Sequence, residues 1–248
     1  MGNFFEEFFL NSPGIYTLFG TKPLSEISLN DATYDKWLEE LKPHLEGLPE
    51  KDRAKKLKKL KEYCDQNLLP SYWEKWMHWI KNHPSKNFLF LKRPTIYESL
   101  SNLSVLNVVE ASWIMQEHYD LFSRELGMEF DPFSMSLEFD NPESPFWEKI
   151  FSSHLLQGIL LGFGERNSYF FNLEMQDEKP LSNPSRGVGD SSCSFKLPLP
   201  AFRSYTVPPN QDPIIVKYKE EKEEIKRYLA GKDLVQEVLD RIYLKRDL

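Results

Sequence analysis

The chain reads as an α-rich α+β protein, with several helices around a long central helix and a small antiparallel sheet. Three observations carry this reading. Residues Ile150–Gly164 pass without one Asp, Glu, Lys or Arg, in a chain of 248 residues of which 28% are charged. Apolar residues recur at helical spacing through much of the remainder. Phe133, Met135, Leu137 and Phe139 alternate with Ser134, Ser136, Glu138 and Asp140, the period of two expected of a half-buried strand. An uncharged run of this length must be buried, and its glycines, Gly158, Gly162 and Gly164, let another backbone come close. It marks the centre of the fold and not, by itself, a chemistry.

With 40% hydrophobic and 14% aromatic residues, the chain can bury a sizeable core as one domain spanning 1–248, and disorder is excluded as its main state. The net charge of −7 argues against a dedicated nucleic-acid binder. No stretch approaches the ~20 apolar residues of a bilayer-spanning helix. Glu6 and Glu7 interrupt Phe4–Leu10 and no basic region precedes it, so a signal peptide is not expected. Glu6 also stands where a myristoylation motif needs Ser or Thr. A cytoplasmic location is expected if Met1 is native, and an exported one if a leader was removed.

Taken in order, Asn3–Leu29 is apolar and broken by Ser12-Pro13-Gly14 and Gly20-Thr21-Lys22-Pro23, a segment (1–30) that packs on the core. Asn30 or Asp31 caps a helix to Leu45, with Tyr34, Trp37, Leu38 and Leu41 on one face. Pro49 opens a second helix to about Asn67, and Pro70 a third to about Asn82. Phe88–Leu91 is a buried strand. A long helix is expected from Thr95 to Leu126, ended by Gly127, because Ser99–Val109 has no charge and much of its circumference must be covered. After the 133–139 strand, Asn141–Pro145 turns into a helix over Phe146–Leu173. Residues 176–194 form a polar loop, long enough to be functional or disordered. Pro198 and Pro200 confine a strand within Ser194–Val207 to a sheet edge. Asp212-Pro213 opens a C-terminal helix over 213–246, which Gly231 bends or divides. The phrase GIYTLFGTKPLS at Gly14–Ser25 resembles the opening of uncharacterised bacterial proteins. The resemblance implies a bacterial origin and brings no function with it.

Candidate sites are few. Gly158-x-x-x-Gly162-x-Gly164 lacks the spacing and the preceding strand of a dinucleotide loop, and no P-loop is present. Close helix packing, or a helix end at Gly164, accounts for these glycines, with a small-molecule pocket beside them as the alternative. Glu165 and Arg166 follow at once; they would grip a carboxylate or phosphate, or form a structural ion pair. Glu110 interrupts an apolar surface and shares a face with Glu117 two turns on, but Glu-x-x-His occurs nowhere, so no metal is assigned. His154, alone in the uncharged run, is a satisfied core histidine or a ligand-binding group. Glu74 and His78, one turn apart, read as surface. No G-x-S-x-G elbow exists and no catalytic residue is assigned.

Cys64 and Cys193 match neither a C-x-x-C motif nor a zinc spacing. Lys51, Arg53, Lys55, Lys56, Lys58, Lys59 and Lys61 form a basic cluster around Leu57 and Leu60, best read as a solvated face. Trp73, Trp76 and Trp79, with Trp37, are core residues or the best place for a recognition surface. Two functions remain. The first is a non-enzymatic binding or interaction protein with a protein partner, marked by a contiguous exposed apolar patch. The second is a small-ligand carrier or enzyme with a pocket near Gly158–Arg166. No cofactor is implied, and nucleic-acid binding through Lys51–Lys61 ranks last.

Overall fold

Asn107 shows how the chain changes from sheet to helix. Its backbone N–H ends a strand by donating to the Pro23 carbonyl at 2.8 Å, while its side-chain oxygen accepts from the Glu110 N–H at 3.2 Å and caps the helix that follows. The computed structural model describes residues 5–10, 12–30, 34–66, 69–95, 100–177, 185–186, 197–206 and 208–243. Helices dominate, and a three-stranded antiparallel sheet accompanies them, an α-rich α+β fold. The chain divides into two compact units.

The first unit comprises Ile27–Pro84 and Lys92–Leu103. It holds helices α2 (Tyr34–Leu45), α3 (Glu50–Gln66) and α4 (Leu69–Asn82). The Trp37 indole N–H donates to Asn30 Oδ1 at 3.1 Å, and Arg53 reaches back to the Leu45 carbonyl at 3.2 Å across the α2–α3 turn. The basic side chains of α3 are exposed around half-buried Leu57 and Leu60.

The second unit comprises Gly2–Glu26, Ser85–Leu91 and Ser104–Leu248. Strands β1 (Leu24–Asn30), β2 (Phe88–Pro94) and β3 (Leu100–Asn107) each have one end in each unit, with β3 in the middle of the sheet. The antiparallel register is set in the second unit by Asn107 to Pro23 and by the Val108 N–H donating to the Asn87 carbonyl at 2.9 Å. In the first unit the Thr95 N–H to Leu100 carbonyl bond, 3.2 Å, closes the β2–β3 hairpin.

Helices of the second unit are α1 (Gly14–Phe19), α5 (Val108–Glu117), α6 (Tyr119–Leu126), α7 (Pro132–Leu137), α8 (Pro145–Ser152), α9 (His154–Leu160), α10 (Glu165–Asp177), α11 (Pro213–Leu229) and α12 (Leu234–Tyr243). A short two-stranded pairing joins β4 (Ser185–Arg186) to β5 (Arg203–Ser204). Leu106, Met115, Phe122, Phe139, Trp147, Ile150, Leu156 and Leu160 belong to its core. The N-terminal segment is held by residues far along the chain: the Arg241 guanidinium donates to the Leu18 carbonyl at 2.7 Å. Ser85 likewise donates to the Ile242 carbonyl at 2.9 Å.

Three expectations are corrected. The long helix from Thr95 is instead β3 followed by α5 and α6. Residues 100–108 of the uncharged run are largely covered because β3 is a central strand, buried almost throughout. The alternating segment 133–139 is helix α7 and a turn, not a strand. Asp131 caps it by accepting from the Ser134 N–H at 2.7 Å, with Pro132 at the first helical position. The apparent period of two is two i, i+4 pairs on different faces: Phe133 and Leu137 are exposed, whereas Phe139 is buried and Met135 packs against the core. The helix expected over Phe146–Leu173 is three helices, broken at extended Ser153, whose hydroxyl caps α9, and at Gly162–Gly164. Gly127 ends α6 in the left-handed conformation, and Gly231 divides α11 from α12. The polar loop 176–194 and Cys193 lie largely outside the described residues.

Gly162, with φ of +74°, is the tightest of these turns, because a Cβ there would run into the Tyr218 hydroxyl. Gly127 has a similar φ of +66° but open space around it. Gly127→Ala is therefore expected to cost about 1 kcal/mol of backbone strain and Gly162→Ala about 2–4 kcal/mol, strain plus collision. Chemical denaturation of both variants checks this; equal losses would remove the Tyr218 contact from the explanation.

Candidate functional site

Helices α9 and α10 approach each other through a missing side chain. A Cβ on Gly158 would sit 2.6 Å from the Ser168 hydroxyl and 2.9 Å from its Cβ, so only glycine permits this spacing. The Gly162–Gly164 turn then reverses the chain, and Ser168 donates to the Gly164 carbonyl at 2.8 Å. Asn167, one residue earlier on α10, donates to the Phe163 carbonyl at 2.9 Å and to Asp212 Oδ2 at 3.1 Å. The same buried carboxylate accepts from the Ser204 hydroxyl at 2.6 Å and caps α11 through the Ile214 N–H at 2.9 Å. Asn167 Oδ1 in turn accepts from the Tyr205 N–H at 3.1 Å, which ties the strand segment 201–205 alongside α10.

Between these elements lies a cavity of about 460 Å³. Its apolar walls are the rings of Phe163, Phe171 and Phe202 with Leu161, Gly158 and Ala201. Phe163 and Phe202 stack with centroids 5.3 Å apart. Its polar groups are His154, Gln157, Asn167, Ser168 and Arg203. The Arg203 guanidinium lies over the Phe171 ring, 5.7 Å from its centroid, and bonds Glu174 at 2.7 Å. Glu174 also accepts from the Tyr205 hydroxyl. That bond, and then Arg203, holds the Glu174 carboxyl below the usual carboxylate range. Burial, and then Glu174, pushes the Tyr205 phenol up to about 12. At neutral pH the wall therefore carries an arginine cation, a carboxylate anion behind it and a neutral phenol.

Buried Lys22 supports the cavity from outside. Its ammonium donates to the Leu24 carbonyl and, at 2.6 Å, to the Leu161 carbonyl, and it lies 5.6 Å from the Phe163 ring centroid. Leu161 closes α9, so a cation is placed where the helix presents its carbonyls. Glu26 is tied into the same region, accepting from Gln157 Nε2 and from Ser104 Oγ, each at 2.9 Å.

Of the residues the sequence singled out, Gly158 and His154 line the cavity. His154 is exposed, with its ring edge-on to Phe171 at 5.6 Å. Glu165 is exposed at the start of α10 and pairs with His118 Nδ1 at 3.3 Å, beside an open polar depression. Arg166 is exposed over the Phe170 ring at 5.9 Å. Glu110, half-buried, sits in the first turn of α5, where the helix dipole favours an anion. Trp73 and Trp76 are buried, and Trp79 stacks between Trp76 at 5.2 Å and His83 at 4.5 Å. The burial of Trp73 and Trp76 fits the core alternative for these indoles. Cys64 is half-buried. Phe171, Phe202 and Arg203 had no motif to mark them; the sequence signal of Phe202 and Arg203 is the aromatic and proline-flanked character of 198–205, and Phe171 lies on α10.

Among the described residues, no group of three or more His, Cys, Asp and Glu side chains is arranged to hold a metal ion. Among the same residues no helix is long and apolar enough to cross a membrane. Comparison with family models, curated proteins and solved structures finds no match for this chain.

Burial, reinforced by Lys217 and opposed by Glu26, brings the Lys22 amine down to about 7. An unfolded lysine keeps its proton to about pH 10.4. Between these values the unfolded chain binds a proton that the folded chain lacks, so this group makes stability rise with pH over that window. Wild type is expected to gain stability from pH 7 to about 9.5 relative to Lys22→Met. Denaturant melts at both pH values test it, and parallel pH curves would refute it.

Proposed function

We propose that this chain is a non-enzymatic binding protein whose second unit holds a small ligand with a planar apolar body and an anionic end. The observation that carries this reading is the cavity of about 460 Å³ walled by three phenylalanine rings. Its volume falls within the roughly 300–1,000 Å³ of small-molecule sites, as does its mix of apolar wall and few polar groups. The polar groups give the ligand its sign. Arg203 and His154 line the cavity, and among its described lining residues there is no carboxylate. Arg203 has N–H groups beyond the one on Glu174, and a guanidinium held flat by a ring and a carboxylate is preorganised to meet a second acid. The pocket lies beside Gly158, so the glycine that allows the helices to meet also leaves room for the ligand.

The probe is 2-naphthoate, titrated into the full chain by calorimetry. One-to-one binding is expected. It should weaken about tenfold in Arg203→Gln, the scale of one charge-assisted hydrogen bond. It should be lost in Ala201→Trp, which adds an indole to the lining at an exposed position. A native mass spectrum of protein purified without chelator would show a retained ligand as excess mass. No naphthoate binding and no excess mass would overturn the reading.

A further inference from the structure

A separate surface of the second unit is unusually apolar and unusually acidic at once. Trp113 on α5 is 70% exposed, and Val109, one turn before it on the same face, is exposed as well. On α7, Phe133 and Leu137 form a second exposed i, i+4 pair, with Phe133 at 54%. The two helices touch through their serines: Ser112 Oγ donates to Ser136 Oγ at 2.9 Å. Val108, Ala111 and Met115 turn α5 to the core, and Met135 does so for α7. At 100° per residue, Val109 and Trp113 therefore fall on the outer side of Ser112, and Phe133 and Leu137 on the outer side of Ser136. The four side chains form one strip along the α5–α7 seam. A monomer rarely leaves large aromatic and aliphatic groups contiguous in water without a partner.

The charge around the strip specifies the partner. From Val109 to Glu143 the chain has nine Asp or Glu, one Arg and no Lys, a formal charge of −8, against −7 for all 248 residues. Glu110 and Glu117 flank Trp113 on α5, and Asp131 and Glu138 stand at the two ends of α7. The bonds from Ser134 hold the Asp131 carboxyl below its ordinary range, so it is an anion at neutral pH.

We propose that the α5–α7 strip docks a cationic amphipathic helix of a partner protein. Its apolar face covers Val109, Trp113, Phe133 and Leu137, and its lysines and arginines meet the acidic rim. Helix-in-groove recognition uses anchors at this i, i+4 spacing, with tryptophan prominent among the residues that dominate such interfaces. A symmetric contact with a second copy would set one −8 stretch against another, and an anionic membrane is repelled by the same rim.

The test uses a synthetic amphipathic peptide of Lys and Leu at helical spacing, titrated calorimetrically into the full chain. Saturable one-to-one binding is expected, weakening as salt is raised and falling at least about tenfold in Trp113→Ala, which leaves every charge in place. Trp113 is so exposed that its truncation should leave the melting curve unchanged. The matching Glu/Leu peptide should not bind. Undetectable binding, equal binding by Trp113→Ala, or equal binding of the Glu/Leu peptide would overturn the proposal. Uptake onto phosphatidylcholine vesicles without peptide binding would overturn it in favour of a lipid surface. Naphthoate binding in Trp113→Ala should match wild type, which separates this surface from the cavity.

Discussion

The second unit rests on the absence of one side chain. Because Gly158 carries no Cβ, Ser168 can sit against the backbone of α9, and α9 and α10 close to a distance no other residue would allow. Everything around the candidate site takes its position from that contact. It brings Asn167 to Asp212, and Asp212 starts α11. The same Asn167 holds Tyr205 and so the segment that supplies Phe202 and Arg203. The cavity is what remains between two helices spaced at Gly158 and a segment tied to α10 through Asn167.

Charge is placed with comparable economy of partners. Asp212 is buried, yet its two oxygens take three donors, from Asn167, Ser204 and the α11 backbone. Such satisfaction is what makes a buried carboxylate tolerable. Lys22 is buried with carbonyl acceptors at the end of α9 and next to its own loop, and burial weakens its hold on a proton. The two groups differ in kind: Asp212 organises the chain by collecting donors, whereas Lys22 bridges the N-terminal segment to a helix end. Neither lines the cavity, and both fix elements that do.

Much of the architecture was legible where local chemistry and tertiary context agree. Helices α3 and α4 announce themselves by Pro49 and Pro70 near their starts and α2 by its apolar spacing, and Gly127, Gly231 and Asp212-Pro213 mark ends and beginnings that the structure keeps. Legibility failed where two periodicities coincide. Residues 133, 135, 137 and 139 satisfy a strand's alternation and equally a pair of helical i, i+4 contacts, and only the Asp131-Pro132 cap decides between them. The uncharged run 99–109 identifies burial but not its geometry, since a central strand and a buried helix both shed their charges. At the site, the glycines were legible as a close approach because glycine's lack of a side chain acts locally. Arg203 was not, because its place follows from Asn167, 36 residues before it, and from the bond between Asn167 and Asp212, which are themselves 45 residues apart. The tryptophans left two readings open for a related reason: spacing along α4 shows that they share a face and says nothing of whether that face meets water.

The bond from Arg241 to Leu18 has a consequence for biosynthesis. The N-terminal segment, with Phe5, Phe8, Phe9, Ile15 and Leu18 all buried in the finished fold, has one of its partners more than two hundred residues later. Translation proceeds at roughly 5–20 residues per second, so this segment waits ten seconds or more on the ribosome for α12, on the order of the synthesis time of the whole chain. During that interval the Leu18 carbonyl lacks its Arg241 donor. The Leu18 contact therefore closes only after α12 emerges, and until then the segment is open to chaperones that bind exposed apolar segments.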